Sequence, residues 1–221
     1  MSTPKSPVIA TDIVIFTINN DELQVLLIKR DHKPFQNSWA LPGGFLHDKA
    51  TTQDTAKRIL KEKAGITNVY IEQLFTFDGL QRDPRGRIVS ITYFALVPDQ
   101  KIKIKSGKNV QTPTFFSVKK LPPLAFDHKD IIRYAQKRLQ AKLEYTNVVF
   151  SLLPNFFPFN QLQKTYEAIL GRKLDKRNFR KKFEFLGLIK PTKKVLTGNR
   201  QRPARLYQFI SRKPAELKKF F

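Results

Sequence analysis

The sequence predicts an α+β chain in two parts: a mixed α/β domain, then a helix-turn-helix module carrying a β-hairpin wing. Three observations predict it. Between residues 8 and 118, short β-branched runs alternate with one amphipathic helical segment. Residues 160–187 hold two helical segments joined by a short turn, and two strand-like runs around a Gly-containing tip follow them. The charge is also uneven. Residues 146–221 carry 18 Lys and Arg against 4 Asp and Glu, a net +14, whereas the first 145 carry 23 against 14, a net +9.

Composition excludes several classes. With 41% apolar residues and 19 Phe, the chain can bury a core in each part and is not disordered throughout. The absence of Cys removes disulfides, Cys-zinc sites and thiol catalysis, and makes the cytosol the expected compartment. No apolar run approaches the roughly 18 residues a membrane span needs, and Met1–Pro7 has no apolar signal core. A net charge of +23 suggests a polyanionic partner.

The elements follow in order. Val8–Ile18 and Leu23–Ile28 are apolar and β-branched, and Asn19-Asn20-Asp21 between them reads as a hairpin turn. Asp31–Asn37 is a loop. Thr51 and Asp54 have the spacing of a capping box for a helix over about 52–64, with Ala56, Ile59, Leu60 and Ala64 inward and Gly65 as the C-cap. Val69–Phe77, Ile88–Val97 and Thr114–Val118 read as strands. Asp127 is placed to cap a helix over 128–143 that buries Ile131, Ile132, Ala135, Leu139 and Leu143. Pro154 and Pro158 then break the pattern, and the domains are set at 1–145 and 146–221.

In the second part, Asn160 reads as the cap of a helix over 161–170, with Gln163 returning the cap and Leu162, Tyr166, Ile169 and Leu170 on the core face. The next helix starts at Asp175 and buries Phe179, Phe183 and Leu186. Its polar face offers Lys176, Arg177, Asn178, Arg180 and Lys181, the residue types that read guanine, adenine and phosphate in a major groove. Leu188–Leu196 and Arg205–Ile210 flank Thr197–Pro203, a wing whose Arg200 and Arg202, with Arg205 beside them, can reach phosphates or the minor groove. The expected partner is double-stranded DNA.

Gly44–Ile66 resembles the Nudix box, G-x5-E-x7-R-E-U-x-E-E-x-G-U, with U aliphatic. Gly44, Arg58, Leu60, Glu62, Gly65 and Ile66 match; Ala50, Ile59 and Lys63 stand where the pattern has Glu. Nudix enzymes gather carboxylates on this helix around Mg²⁺, a hard cation that takes oxygen ligands. Here Glu62 alone remains, and it is placed to pair with Arg58 at i, i+4. The box is therefore read as vestigial, with no catalytic residues and no resident metal, Mg²⁺ entering only if hydrolase activity persists. His32, His47 and His128 have no metal-ligand spacing.

Further segments extend the likeness: Phe75–Phe94 with Arg82-Asp83-Pro84-Arg85-Gly86-Arg87, Leu124–His128, and Tyr166–Gly171 followed by Leu174–Arg180. From about residue 8 to 210 the chain resembles the Nudix-related transcriptional regulators of the NrtR family. The resemblance implies a Nudix-like α/β/α sandwich, a winged helix, a homodimer and a palindromic operator. It also implies a repressor of NAD-metabolism genes that senses ADP-ribose, with Arg30, Trp39, Arg82 and Arg85 in the ligand pocket. Two alternatives stand beside it: a sugar-responsive regulator of the arabinose type on the same scaffold, and a Nudix hydrolase of ADP-ribose-like diphosphates.

Overall fold

The computed structural model describes residues 6–102, 113–198 and 201–217. Its contacts divide the chain into two units. The first is Met1–Thr17, Gln24–Val97 and Lys101–Ala135; the second takes Ile18–Leu23, Pro98–Gln100 and Gln136–Phe221.

The first unit is built on a seven-stranded mixed sheet. Strands β1 (Val8–Asn19) and β2 (Glu22–Lys29) turn over Asn20 and Asp21, whose φ of 50° and 59° are the left-handed values that Asn and Asp tolerate in tight hairpins. After them come β3 (Trp39–Ala40), β4 (Gly43–Phe45), β5 (Tyr70–Phe77), β6 (Ile88–Leu96) and β7 (Thr114–Ser117). The path is β3-β2-β1-β6-β5, with β4 on β1 and β7 on β2. Strands β1 and β6 run parallel, pairing Ile13 with Tyr93 and Ile15 with Ala95.

Helix α1 (Thr52–Ala64) sits on one face of this sheet. Thr51 accepts from the Asp54 N–H at 3.1 Å, and Gly65, at φ 64°, closes the helix. Ala56, Ile59, Leu60 and Ala64 are buried as expected, against Ile13, Ile15, Tyr93 and Ala95. Val14 and Phe16 alternate to the opposite face and are equally buried. Helix α2 (His128–Tyr145) packs Tyr134 on the β5 rings Phe75 and Phe77, at 5.1 and 5.9 Å. All five residues expected on its inner face are buried. Asp127, read as its cap, offers only its carbonyl there, to Asp130 and Ile131. Its carboxylate is taken by Arg82.

In the second unit a 3-10 turn (Val148–Leu152) leads to β8 (Phe157–Pro158), α3 (Phe159–Leu170), α4 (Lys176–Leu186), β9 (Ile189–Gly198) and β10 (Gln201–Phe209), the strands ordered β8-β10-β9. Asn160 does not cap α3: the helix begins two residues earlier, at an extended Pro158, because Phe159 is pulled into the core. Gln163 instead donates to Glu167 and to the Leu174 carbonyl, bracing the turn into α4. Asp175 caps α4 by accepting from the Asn178 N–H at 2.8 Å. Phe159, Tyr166, Phe179 and Phe183 form an aromatic core with centroids 4.9–6.4 Å apart. The wing strands run further than expected. Gln201 already pairs with Gly198, which shortens the tip and puts Arg202 in β10. Among the described residues no helix is long and apolar enough to cross a membrane.

A strap after β10 ties down the segment that follows α2. Arg212 donates to the carbonyls of Phe150, Leu153 and Pro154 at 2.6, 2.6 and 3.0 Å. Asn147 clasps Lys213 and Ala215 through its amide. We predict that Arg212→Ala, which strands three carbonyls, lowers stability by about 1–3 kcal/mol. Urea unfolding of wild type and variant measures this directly, and an unchanged midpoint would refute it.

Candidate ligand cavity and nucleic-acid interface

A cavity of about 520 Å³ opens in the first unit, within the ~300–1,000 Å³ typical of small-molecule sites. Its floor is polar and buried. Asp12, 8% exposed, accepts from Ser90 Oγ at 2.6 Å, and Arg82 Nη2 lies 3.5 Å from the same carboxylate. Arg82 also donates to both Asp127 oxygens, at 2.9 and 2.8 Å. His128 Nδ1 accepts the Leu41 N–H at 2.9 Å, which leaves the proton of the neutral ring on Nε2, 3.9 Å from Asp12. Gly43 makes room for this floor: a Cβ there would lie 2.1 Å from Asp12 Oδ1.

The wall is cationic and aromatic. Arg85 is held on Asp83 by bonds of 3.0 and 2.7 Å. Burial pushes Asp83 up, but its bonds from the Arg85 side chain and backbone outweigh this and hold it below the usual carboxylate range. Arg30 donates Nε to the Pro34 carbonyl at 2.8 Å, while its buried Nη2 has no partner among the described residues. Burial, then the charge of Arg85, pulls the Arg30 pKa down. Both guanidiniums lie over the Phe126 ring, at 4.9 Å for Arg30 and 5.5 Å for Arg85. Phe126 itself sits at φ 54°, costly for a residue with a Cβ and sustained only where the surroundings impose it.

Arg30, Arg82 and Arg85 are thus brought together as expected, but in different states. Arg82 is 5% exposed on its side chain and already bonded to two carboxylates, whereas Arg30 keeps an open nitrogen. Trp39 is not brought in: it packs edge-to-face on Phe116 at 4.7 Å and does not line the cavity. Asp12, Phe45, Asp83, Phe126 and His128 do line it, and sequence reasoning did not select them. A signal existed for Asp12, a lone acid inside an apolar strand, and for Phe126-Asp127-His128, a polar cluster at a helix start.

The Nudix-box segment lies beside this cavity. Arg58 pairs with Glu62 at 3.0 Å, as the spacing implied. Gly44 sits on β4, where an added Cβ would lie 3.8 Å from Arg58, and Gly65 ends α1. Ile59 is 1% exposed in the apolar core, Ala50 carries no oxygen, and Lys63 lies on the cavity wall. Among the described residues no three His, Asp or Glu gather as a metal would require. These residues do not fit the oxygen shell of Mg²⁺.

On α4, Lys176, Arg177, Asn178 and Lys181 are exposed. Arg180 is turned onto its own fold instead: it stacks on Phe159 at 4.3 Å, reaches the Tyr207 hydroxyl at 3.4 Å and pairs with Glu184 at 3.7 Å. Arg205 is exposed on β10. Arg200 lies outside the described residues, and of Arg202 only the backbone is described.

The fold and these two surfaces define a Nudix domain joined to a winged helix. Residues 9–135 match the NUDIX domain family, and residues 149–209 match the NrtR DNA-binding winged helix domain. The ADPR responsive transcriptional repressor NtrR of Acinetobacter baylyi is 38% identical over 208 residues, 92% of this chain and 82% of that protein. Shewanella oneidensis NrtR in complex with a 27mer DNA superposes with a TM-score of 0.82 and 34% identity, over 91% of this chain and 93% of that one. The NUDIX domain of the same Shewanella protein, complexed with ADP ribose, gives a TM-score of 0.56 and 36% identity, over 61% and 90%. The chain belongs to the NrtR family.

His128 gives the cavity floor a pH dependence. Burial lowers its pKa from 6.5, with Asp12 and Asp127 opposing and Arg82 and Arg30 adding to the effect. Below about pH 6.5 the unfolded chain binds a proton that the folded chain refuses, so stability falls as pH falls, by up to about 1.4 kcal/mol per unit. Denaturation between about pH 7.5 and 5.5 is expected to show this slope and His128→Gln to flatten it; identical slopes would exclude His128 as the source.

Proposed function

We propose that this protein is a cytosolic transcriptional repressor of NAD-metabolism genes that senses ADP-ribose in the Nudix-domain cavity and holds operator DNA with its winged helix. The observation that carries the reading is the segregation of α4. Phe179 and Phe183 are buried on one stripe, while Arg177 and Lys181, one turn apart, stand in solvent on the other. A helix so divided presents its cations to a groove lined with base acceptors and phosphates. For the effector, the support is the pairing of Arg30 and Arg85 on one aromatic ring, which suits a diphosphate flanked by a flat base. We further propose a homodimer on a palindromic operator, its two recognition helices in successive major grooves about 10 bp or a multiple apart.

The proposal makes the Nudix domain a sensor without hydrolysis. Ile59 and Lys63 supply no metal oxygen, so purified protein with Mg²⁺ is expected to leave ADP-ribose intact; product formed in proportion to protein would restore the hydrolase reading. The regulatory part is tested by titrating protein onto promoter DNA with and without ADP-ribose. Coupling of the two sites should change DNA affinity by about 5–150-fold, and by linkage DNA must change ADP-ribose affinity by the same factor. Arg177→Ala is expected to cost about 1–3 kcal/mol of preference for operator over random duplex. Operator preference left intact by Arg177→Ala, or DNA affinity indifferent to ADP-ribose, would overturn the corresponding half of the proposal.

A further inference from the structure

Of the three residues that stand where the box has Glu, Ile59 and Lys63 differ in kind. Ile59 was absorbed into the core, at 1% exposure. Lys63 was not: half-buried in the last turn of α1, it lines the same cavity as Arg30, Gly44, Phe45 and Arg85. Its ammonium therefore stands at the position of a magnesium-binding acid.

The other charges of the wall are largely spoken for. Arg82 is held by Asp127 and Asp12, and Arg85 by Asp83. On the acidic side, Glu62 is paired with Arg58 and Asp31 with His32. Arg30 and Lys63 form no ion pair among the described residues, and Arg30 keeps a buried nitrogen without a hydrogen-bond partner. A diphosphate entering here would meet cations whose charge is not already balanced at contact distance, Arg30 and Lys63 together with Lys29 on the same wall. In an enzyme of this fold the divalent cation neutralises that diphosphate charge. A fixed ammonium performs the neutralising part without polarising a water, so it supports binding without supporting hydrolysis.

We propose that Lys63, with Arg30, replaces the divalent metal as counter-charge to the ligand's diphosphate, so that the cavity binds a nucleoside diphosphate-sugar with no metal ion. The inference rests on reading the cavity as the ADP-ribose site. It assigns Lys63 to ligand binding and converts the loss of catalytic acids from a deletion into a substitution of one cation for another. It also explains why Glu62 can be given over to Arg58: with no metal to hold, its carboxylate is paired with Arg58 and does not face the ligand as an unpaired negative charge.

Calorimetric titration of the full chain with ADP-ribose, in Mg²⁺ and again in excess EDTA, tests the inference. Wild type should give the same Kd in both, within about twofold. Lys63→Gln should weaken binding about tenfold or more in both buffers, while Lys63→Arg, which keeps the charge, stays near wild type. Thermal melts of the two variants without ligand establish that both are folded. If EDTA abolishes wild-type binding, the sensor reading survives and the replacement of metal by Lys63 is wrong. If Lys63→Gln binds like wild type, the inference fails in the same way. If ADP-ribose does not bind wild type in either buffer, the sensor reading itself falls and takes the inference with it.

Discussion

Arg82 reaches from the loop after β5 into the floor of the cavity, bonds both oxygens of Asp127 at the mouth of α2 and lies 3.5 Å from Asp12 on the central strand β1. With 5% of its side chain exposed, it has surrendered nearly all its hydration. Such an ion triad is tolerable only while complete; removing one member of a buried pair strands the others at a cost of about 3–5 kcal/mol. Much follows from this arrangement. The start of α2 is fixed by Asp127, Asp12 is given a cationic partner on a mostly apolar strand, and Gly43 is needed because the Asp12 oxygen fills the volume of a side chain. Because Arg82 is consumed in holding the site together, the cavity's less committed charge lies on its neighbours Arg30 and Lys63.

Both surfaces of the protein are cationic, but they hold their charge differently. Around the cavity, cations are sorted into those already matched by carboxylates and those left open, within a partly dehydrated wall where an unmatched charge acts strongly. On α4 the cations stand in water, where affinity comes from neutralising phosphates, weakens with salt and is shared over many contacts. The net charge of +23 is thus two different instruments, one short-ranged and one long-ranged.

Local chemistry was legible in the sequence and tertiary chemistry was not. Thr51, Gly65 and Asp175 act within one turn of their partners, and each bounds its helix where the spacing placed it. Asn160 and Asp127 carry the same local signal and fail, because a competing tertiary demand is stronger: Phe159 is drawn into an aromatic core, and the Asp127 carboxylate is claimed by an arginine 45 residues away. Trp39 enters the expected ligand pocket through the family resemblance, and its ring packs on Phe116 instead. The cavity floor draws Asp12, Ser90 and His128 from three distant segments, and no spacing rule connects them. By contrast, Arg58 and Glu62, four residues apart on one helix, were paired correctly from spacing alone.

Helix α2 carries one more implication. His128, its first residue, is buried in the cavity floor, and Tyr145, its last, accepts a hydrogen bond from Leu217 in the strap. Eighteen residues of uninterrupted helix make a rod of about 27 Å. At Tyr145 the rod does not fray into solvent: its last carbonyl is taken by the Leu217 N–H, and Asn147 just beyond it is clasped to Lys213 and Ala215, so the end of the helix is closed by chain that lies about 70 residues further on.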